Sequence, residues 1–318
     1  MRSPTNIVLL TMAISDLLTL LFPAPWYFYM YTLGNHKKVL YPVEACYAFH
    51  CMIEVIPAFF HTASIWLTLL LAAQRYIYVC HPQLARTWCT LPRVSKAMLF
   101  VGIAAFLHQA SRFIDRSFTP VQFEYDGVAQ WGCQFNTASW VREIISENLF
   151  FSLYYLFRIV FVHLGPISIL IVLNLCLFKA LREAQRKRDK LFNENRKSEC
   201  RKLRDSNCTT LMLIVVVSVF LATETPLMIC TLLHVVQNAL QIQIAPYETL
   251  NSTILFTNFF IMLSYPVNFA IYCGMSRQFR EAFKDLFVLG NVSAARQREN
   301  MSRQSVVNGQ RSTNETVL

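Results

Sequence analysis

The fold is decided by residues 51–80, CMIEVIPAFFHTASIWLTLLLAAQRYIYVC. This stretch is apolar enough to cross a bilayer, yet Glu54 stands near its start and Arg75 near its end. At 1.5 Å per helical residue these two charges would lie roughly 31 Å apart, close to the thickness of a hydrocarbon core. Because charged groups on a membrane helix usually face a bundle interior or a cavity, we expect other helices to surround this one.

Composition places the whole chain among the polytopic membrane proteins. Of its 318 residues, 54% are hydrophobic and only 15% are charged, which is too apolar for an ordinary soluble domain. Six apolar runs are each long enough to span a membrane, at residues 7–31, 46–80, 97–113, 150–178, 211–236 and 253–273. We therefore predict an all-α fold, a membrane helix bundle with six spans.

The distribution of Lys and Arg predicts the orientation. Residues 179–204 contain eleven of them and the part after Cys273 contains seven, whereas residues 237–248 contain none. Because cytoplasmic loops carry an excess of Lys and Arg, we expect a multi-pass protein of the plasma membrane with a cytoplasmic C-terminus. The formal charge of +10 then favours contact with anionic membrane lipid, and no motif indicates binding to nucleic acid.

The loop after the third run is expected on the outer face. It contains Asp126-Gly127 between alternating apolar residues, a pattern that predicts a β-hairpin. The hairpin is interpreted as a lid or docking platform, or alternatively as an ordinary solvated loop. Three cysteines are expected near this face, and Cys51 with Cys133 is the preferred disulfide, with Cys46 as the rival partner.

Ionisable side chains within the predicted spans indicate a ligand pocket, because such residues are rare in membrane helices and usually functional. Arg158 and Glu224 are expected either to form an ion pair across a cavity or to bind a ligand separately. A pocket with both charge signs and aromatic rings suits a peptide better than an apolar lipid. The predicted pocket residues are Glu54, His61, Arg112, Tyr155, Arg158 and Glu224.

Five motifs together resemble the rhodopsin class of G-protein-coupled receptors. They are SDLL at 15–18, AQRYIYV at 73–79, the trio Ile65, Pro166 and Phe220, Glu-Thr-Pro at 224–226, and NFAIY at 268–272 followed by MSRQFR. The QRY, Glu-Thr-Pro and NFAIY variants are similar to those of the invertebrate receptors grouped with the sex peptide and myoinhibitory peptide receptor. The resemblance covers residues 1–287 and implies helices two to seven of a seven-span bundle, followed by an amphipathic helix eight.

The resemblance implies a signalling role for particular residues. Arg75 of the Gln74-Arg75-Tyr76 triplet would contact a heterotrimeric G protein of the Gi/o type, with Tyr272 as its partner in the active state. Gln74 replaces the aspartate of relatives, so Arg75 should be less firmly restrained when the receptor is inactive. The remaining implied residues are a packed switch of Ile65, Pro166 and Phe220 near the helix proline Pro226, and a polar core of Asp16, Ser64 and Asn268 that can hold a sodium ion.

The resemblance also implies the partners. The ligand would be a secreted neuropeptide with an amidated, Trp-containing carboxyl end. Residues 276–287 would form the amphipathic helix that completes the bundle domain, 1–287, and residues 288–318 a disordered cytoplasmic tail open to kinases and arrestin. The final Glu-Thr-Val-Leu, with Thr316 and Leu318, resembles a PDZ ligand.

Other functions were weighed against this one. Because residue 1 lies in what resembles the first inner loop, a truncated, non-signalling fragment that modulates assembly of a full-length receptor is the alternative. A transporter would show an internal repeat, and none is visible. A membrane enzyme would need a convergent set of side chains, whereas His61, His108 and His163 are scattered singly in the sequence. We therefore expect a receptor and not an enzyme.

Overall fold

The chain forms a bundle of membrane-spanning helices. The computed structural model describes residues 4–35, 39–125, 128–193, 196–240 and 242–275. Within these ranges six helical segments are long and apolar enough to cross a membrane: Pro4–Thr32, Val43–Cys80, Leu91–Phe113, Glu147–Phe192, Thr210–Gln237 and Glu248–Asn268. Because lipid offers no partner to backbone N–H and C=O groups, such apolar runs must satisfy these groups internally, as helices do. The predicted all-α membrane bundle with six spans is confirmed.

The spans are built from α-helices of very different lengths. The helices of the described ranges are α1 (Pro4–Leu21), α2 (Ala24–Tyr27), α3 (Val43–His50), α4 (Ile56–Cys80), α5 (Pro82–Trp88), α6 (Leu91–Ala110), α7 (Glu147–Phe157), α8 (Gly165–Asn193), α9 (Lys197–Leu240) and α10 (Tyr247–Met275). A short 3₁₀ turn, Ser111–Phe113, follows α6. Prolines lie inside the two last helices, at Pro226 and Pro266.

Wider π-helical turns interrupt the spans. They cover Phe28–Thr32, Cys51–Val55, Val141–Ile145 and Arg158–Leu164. Two of them end two residues before a proline, at Pro57 and at Pro166. Proline has no N–H, and its ring crowds the carbonyl four residues earlier, so a wider turn at that point relieves the crowding. The same turns contain Glu54, Arg158 and His163, so they determine where these ionisable side chains point.

Gly165 allows the longest of these turns to close. Its N–H donates a hydrogen bond to the carbonyl of Val160, five residues earlier. A Cβ added to Gly165 would lie 2.9 Å from that same carbonyl oxygen, closer than real Cβ contacts. Glycine is therefore required here by the close approach of backbone to backbone.

The predicted β-hairpin is confirmed. Strands β1 (Arg116–Tyr125) and β2 (Val128–Thr137) pair antiparallel. Because Tyr125 pairs with Val128, the loop between the strands is the predicted Asp126-Gly127, which lies outside the described residues. The hairpin is attached to α3, since the Tyr47 hydroxyl accepts a hydrogen bond from the Phe118 N–H over 3.3 Å and the two rings are 4.8 Å apart.

The preferred disulfide, Cys51 with Cys133, is wrong. Cys133 is bonded to the rival, Cys46, and Cys51 is a free thiol. The hairpin explains the difference, because the Cys133 sulfur lies 3.8 Å from the carbonyl of Pro42, just before α3 begins. Cys46 lies in the first turn of α3, close to Pro42, whereas Cys51 lies five residues further along, in the π turn that follows α3.

The chain divides into two units, residues 1–267 and 268–318. Of the second unit, the structure describes residues 268–275, the end of α10. The amphipathic helix predicted at 276–287 and the tail predicted at 288–318, including Thr316 and Leu318, lie outside the described residues. The predicted domain boundary after residue 287 therefore stays a prediction.

Candidate functional site

Five charged or ionisable residues form an outer cluster at the base of the hairpin: His50, Glu54, Arg112, Asp115 and Arg116. The Glu54 carboxylate lies 3.3 Å from His50 Nδ1, 3.6 Å from Arg112 and 3.4 Å from Arg116. Glu54 and Arg112, both predicted as pocket residues, are thus brought together. The Glu54 side chain remains 42% exposed, so it is accessible to a ligand.

Asp115 forms the buried side of this cluster. It is fully buried, forms an ion pair with Arg112, and lies 3.9 Å from His50 Nε2. Its carbonyl also accepts a hydrogen bond from the Ala138 N–H over 2.8 Å, at the end of the hairpin. Burial raises the pKa of Asp115, although the nearby Arg112 and Arg116 act to lower it. Asp115 was not among the predicted pocket residues, because it lies just outside the predicted third span.

Aromatic rings surround the Arg112 guanidinium. Its Cζ lies 5.4 Å from the Tyr154 ring centroid and 5.8 Å from that of Phe151, distances typical of cation–π contacts. The Tyr154 hydroxyl donates to Gln109 Oε1 over 2.9 Å, and its ring stacks on His108. The predicted pocket residue Tyr155 lies on the neighbouring face of α7, where its ring is in edge contact with Tyr154.

Four buried residues form an inner cluster: His61, His163, Glu224 and Tyr265. His61 Nε2 lies 3.3 Å from one Glu224 oxygen, and His163 Nδ1 lies 3.6 Å from the other. The other nitrogen of His61 is hydrogen-bonded to the Tyr265 hydroxyl over 2.8 Å. Glu224 and His163 are each only 1% exposed. The cluster joins α4, α9, α10 and the π turn before α8.

Two expectations about these residues are corrected. Arg158 does not pair with Glu224 among the described contacts, because His163 lies between them and accepts a hydrogen bond from Arg158 Nε over 3.5 Å. The histidines are not all scattered singly, since His61 and His163 converge on one carboxylate. The wide turn Arg158–Leu164 produces this arrangement, as it places both Arg158 and His163 on the inner side of the helix.

The predicted polar core is formed in part. Ser64 donates a hydrogen bond of 2.5 Å to the Asp16 carboxylate, and both side chains are buried. Asn268 belongs to the second unit of the chain, so its part in this core stays a prediction. Carboxylate and hydroxyl oxygens are ligands that a hard cation accepts, so Asp16 and Ser64 fit the sodium ion implied by the resemblance.

The residues of the predicted switch lie on three adjacent helices. Phe220 packs against a buried apolar cluster of Ala72, Leu170 and Val217. Ile65 and Pro166 are also buried, two turns before Ala72 on α4 and one turn before Leu170 on α8. Direct packing of the trio remains a prediction.

Near the C-terminal end of α4, the predicted coupling triplet Gln74-Arg75-Tyr76 makes few polar side-chain contacts with the described residues. Gln74 is 3% exposed, and neither atom of its amide forms a hydrogen bond with the described residues. Within the same ranges Arg75 forms no ion pair, and its buried Nε has no partner. The Tyr76 hydroxyl contacts His81 over 3.4 Å. A nearby hollow of about 380 Å³ is lined by Pro4, Tyr78, Pro82, Ala85, Arg86 and Cys89.

Comparison with known proteins gives the family. A family model described as the serpentine type 7TM GPCR chemoreceptor Srw matches residues 1–290. The chain belongs to the seven-transmembrane G-protein-coupled receptors. This receptor is 53% identical to the sex peptide receptor of Drosophila melanogaster over 321 residues, which cover 100% of the chain and 73% of that relative. It is therefore a multi-pass membrane receptor and not an enzyme.

Two more distant relatives have names of the same kind. The receptor is 34% identical to the sex peptide receptor-related protein 2 of Caenorhabditis elegans over 91% of the chain and 66% of that relative. It is 26% identical to the FMRFamide receptor of Drosophila melanogaster over 73% of the chain and 38% of that relative. The chain thus spans between about a third and three quarters of the length of the three relatives.

Proposed function

We propose that this receptor binds a secreted neuropeptide at the outer cluster and activates a heterotrimeric G protein from the face where α4 ends. The relatives that support this are named for peptides, the sex peptide and FMRFamide. The observation that carries the proposal is the outer cluster itself, in which charges of both signs lie beside aromatic rings at the base of a disulfide-linked hairpin. Such a surface matches the mixed chemistry of a peptide.

The proposed ligand has an amidated, Trp-containing carboxyl end. An amide donates hydrogen bonds, and the exposed Glu54 carboxylate is placed to accept them, whereas Glu224 is 1% exposed and already faces two imidazoles. A tryptophan ring would add to the cation–π contacts at the cluster, where Arg116 is the more exposed arginine. The name of the FMRFamide receptor supports an amidated ligand.

On the inner side, we propose coupling to a G protein of the Gi/o type through Arg75. The unpaired Gln74-Arg75 pair and the neighbouring hollow lie at the end of α4 that the Lys and Arg distribution assigns to the cytosol. A cytoplasmic C-terminus, residence in the plasma membrane, a sodium ion held by Asp16 and Ser64, and binding of kinases, arrestin or a PDZ protein by the tail belong to the same proposal.

The test compares three peptides on the receptor expressed from its full transcript. An amidated peptide with tryptophan near its carboxyl end should lower cellular cAMP, and the same peptide as a free acid, or with alanine for tryptophan, should be at least tenfold less potent. Glu54→Gln should reduce the difference between amide and acid, whereas Glu124→Gln, on the exposed part of β1, is the matched control. Equal potency of the amide and the acid would overturn the proposed role of Glu54.

A further inference from the structure

The ring nitrogens of the inner cluster can carry their protons in more than one arrangement. A carboxylate as buried as Glu224 is costly unless hydrogen-bond donors face it, and in the described part of the chain two imidazoles face it, each of which exists with one proton or two. The contacts of 3.3 and 3.6 Å to Glu224 are long for hydrogen bonds, which leaves room for both states.

The proton of His163 is fixed by its neighbours. The Arg158 guanidinium has only N–H donors, so His163 Nε2, 3.5 Å from Arg158 Nε, must accept. The single proton of the ring is therefore on Nδ1, which faces Glu224. A second proton on Nε2 would point at the arginine. His163 is thus held neutral while Arg158 is in place.

His61 has no such restriction. Its Nε2 faces Glu224, and its Nδ1 meets the Tyr265 hydroxyl, which is able to donate or accept. Thr19 on α1 also faces the Tyr265 hydroxyl, next to Leu20, which packs against the buried cluster that contains Tyr265. Because the Thr19 hydroxyl gives its own proton to the Ser15 carbonyl over 2.9 Å, its oxygen is free to accept from Tyr265. The tyrosine hydroxyl therefore has two alternative acceptors.

We propose that His61 is a proton-binding site, and that filling it turns the Tyr265 hydroxyl from His61 to Thr19. In the empty state, Tyr265 donates to Nδ1 and the neutral imidazole donates from Nε2 to Glu224. In the filled state, one proton from water has bonded to the Nδ1 lone pair, and the ring donates to both Tyr265 and Glu224. The hydroxyl then donates to Thr19, and Tyr265 and Glu224 keep their own charge.

Charged groups face His61 from several elements. Glu224 is in contact from α9, and Asp16 on α1 acts electrostatically on both His61 and Tyr265. The positive Arg158 lies beyond His163, next to His108. Among the described residues, His61 thus has carboxylates from α9 and α1 around it, while Arg158 contacts the neutral ring of His163 and not His61.

The proton site links segments whose relative positions define the state of a receptor. Thr19, His61, Glu224 and Tyr265 lie on α1, α4, α9 and α10, and Glu224 is two residues before the proline of α9. A ligand shifts a conformational equilibrium when it binds the two states unequally, and a proton that rearranges contacts among four helices meets that condition. Signalling should therefore depend on pH even without a peptide, so this inference goes beyond peptide recognition and does not rest on it.

The direct test measures proton linkage in the purified receptor in lipid nanodiscs, with neither peptide nor G protein. The unfolding temperature is recorded between pH 5 and 8.5 for the wild type, His61→Gln and His163→Gln. Glutamine offers one donor and one acceptor, so it reproduces the neutral form of either ring. His61→Gln should lose a one-proton step that His163→Gln keeps. Retention of that step in His61→Gln, or its equal loss in both variants, would overturn the proposal.

Thr19→Val provides a second test, which holds even if His61→Gln fails to fold. It removes the alternative acceptor for the Tyr265 hydroxyl without changing the volume, so the filled state loses one hydrogen bond. The midpoint of the pH dependence of basal G-protein activation should then move to lower pH by about one unit. An unmoved midpoint, or basal signalling that does not vary with pH in the wild type, would contradict the inference. Neither result depends on the identity of the peptide.

Discussion

His163 lies 3.6 Å from the Glu224 carboxylate, and this contact joins the π turn before α8 to the middle of α9. The carboxylate faces His61 on its other side, so one buried charge is shared by residues of three helical segments. The proline of α9 follows two residues later, at Pro226. A substitution at Glu224 should therefore alter the conformation of α9 as well as any contact with a ligand.

Replacing Glu224 by glutamine tests this directly. The variant keeps the volume of the side chain but removes the charge that both imidazoles face. We expect the potency of the activating peptide to fall at least tenfold in the receptor expressed from its full transcript. The measurement is a dose response of G-protein activation at matched surface levels, with Glu248→Gln, exposed at the start of α10, as the control. An unchanged dose response would count against the central position of Glu224.

The disulfide predicts a sharp contrast between two neighbouring cysteines. Cys46→Ser removes the link between α3 and the hairpin and should destabilise the receptor by about 2 to 4 kcal/mol. Cys51→Ser replaces a free thiol and should leave the unfolding temperature and surface level close to those of the wild type. Equal losses in the two variants would show that the pairing is different.

Gly165 predicts a contrast of another kind. Gly165→Ala brings a Cβ to 2.9 Å from the Val160 carbonyl, so the backbone must shift, at a cost of roughly 1 to 3 kcal/mol. Gly102→Ala, within α6, is the matched control, because a Cβ there meets no atom within 4 Å. The control should be neutral or slightly stabilising, since alanine is the better helix former. Thermal unfolding of both variants in nanodiscs decides whether Gly165 is needed.

Gln74 predicts the level of basal signalling. Its buried amide has no hydrogen-bond partner in the described part of the chain, and it does not restrain the neighbouring Arg75. Gln74→Asp introduces a carboxylate that is able to pair with Arg75, so basal G-protein activation should fall, while Gln74→Asn, which adds no charge, should not lower it. Equal basal activity of the wild type and the aspartate variant at matched surface levels would rule out this interpretation.

The features predicted correctly are those that follow from local chemistry. Apolar runs of sufficient length gave the six spans, since a bilayer accepts few other backbone arrangements. Asp126-Gly127 gave the hairpin, because this dipeptide favours the tight turn between two strands. The family resemblance implied that Asp16 and Ser64 line one polar site, and the structure brings these two side chains within 2.5 Å of each other.

The features that were missed depend on helix geometry. The predicted disulfide between Cys51 and Cys133 would place the hairpin beside residue 51 of the second span, whereas it is bonded to residue 46. The inner cluster was missed although a signal for it was present. His61 lies one turn before Ile65, His163 about one turn before Pro166, and Glu224 one turn after Phe220. Because α9 runs opposite to α4 and α8, all three lie one turn to the same side of the predicted switch. These equal offsets from Ile65, Pro166 and Phe220 indicate that His61, His163 and Glu224 lie close together.

The π turns have a consequence for how such a receptor could change its ligand. Each π turn accommodates one residue more than an α-helical turn. Deleting a single residue there would therefore restore a regular helix. Because the wider turn holds its extra residue within about the same total rotation, the helical segments on either side would keep their orientation. In the turn Cys51–Val55, such a deletion would leave α3, with the cysteine that holds the hairpin, and the inner half of α4 in place, while the side chains of the turn, Glu54 among them, would point in new directions. A new selectivity could thus arise from a one-residue deletion, with no substitution at all.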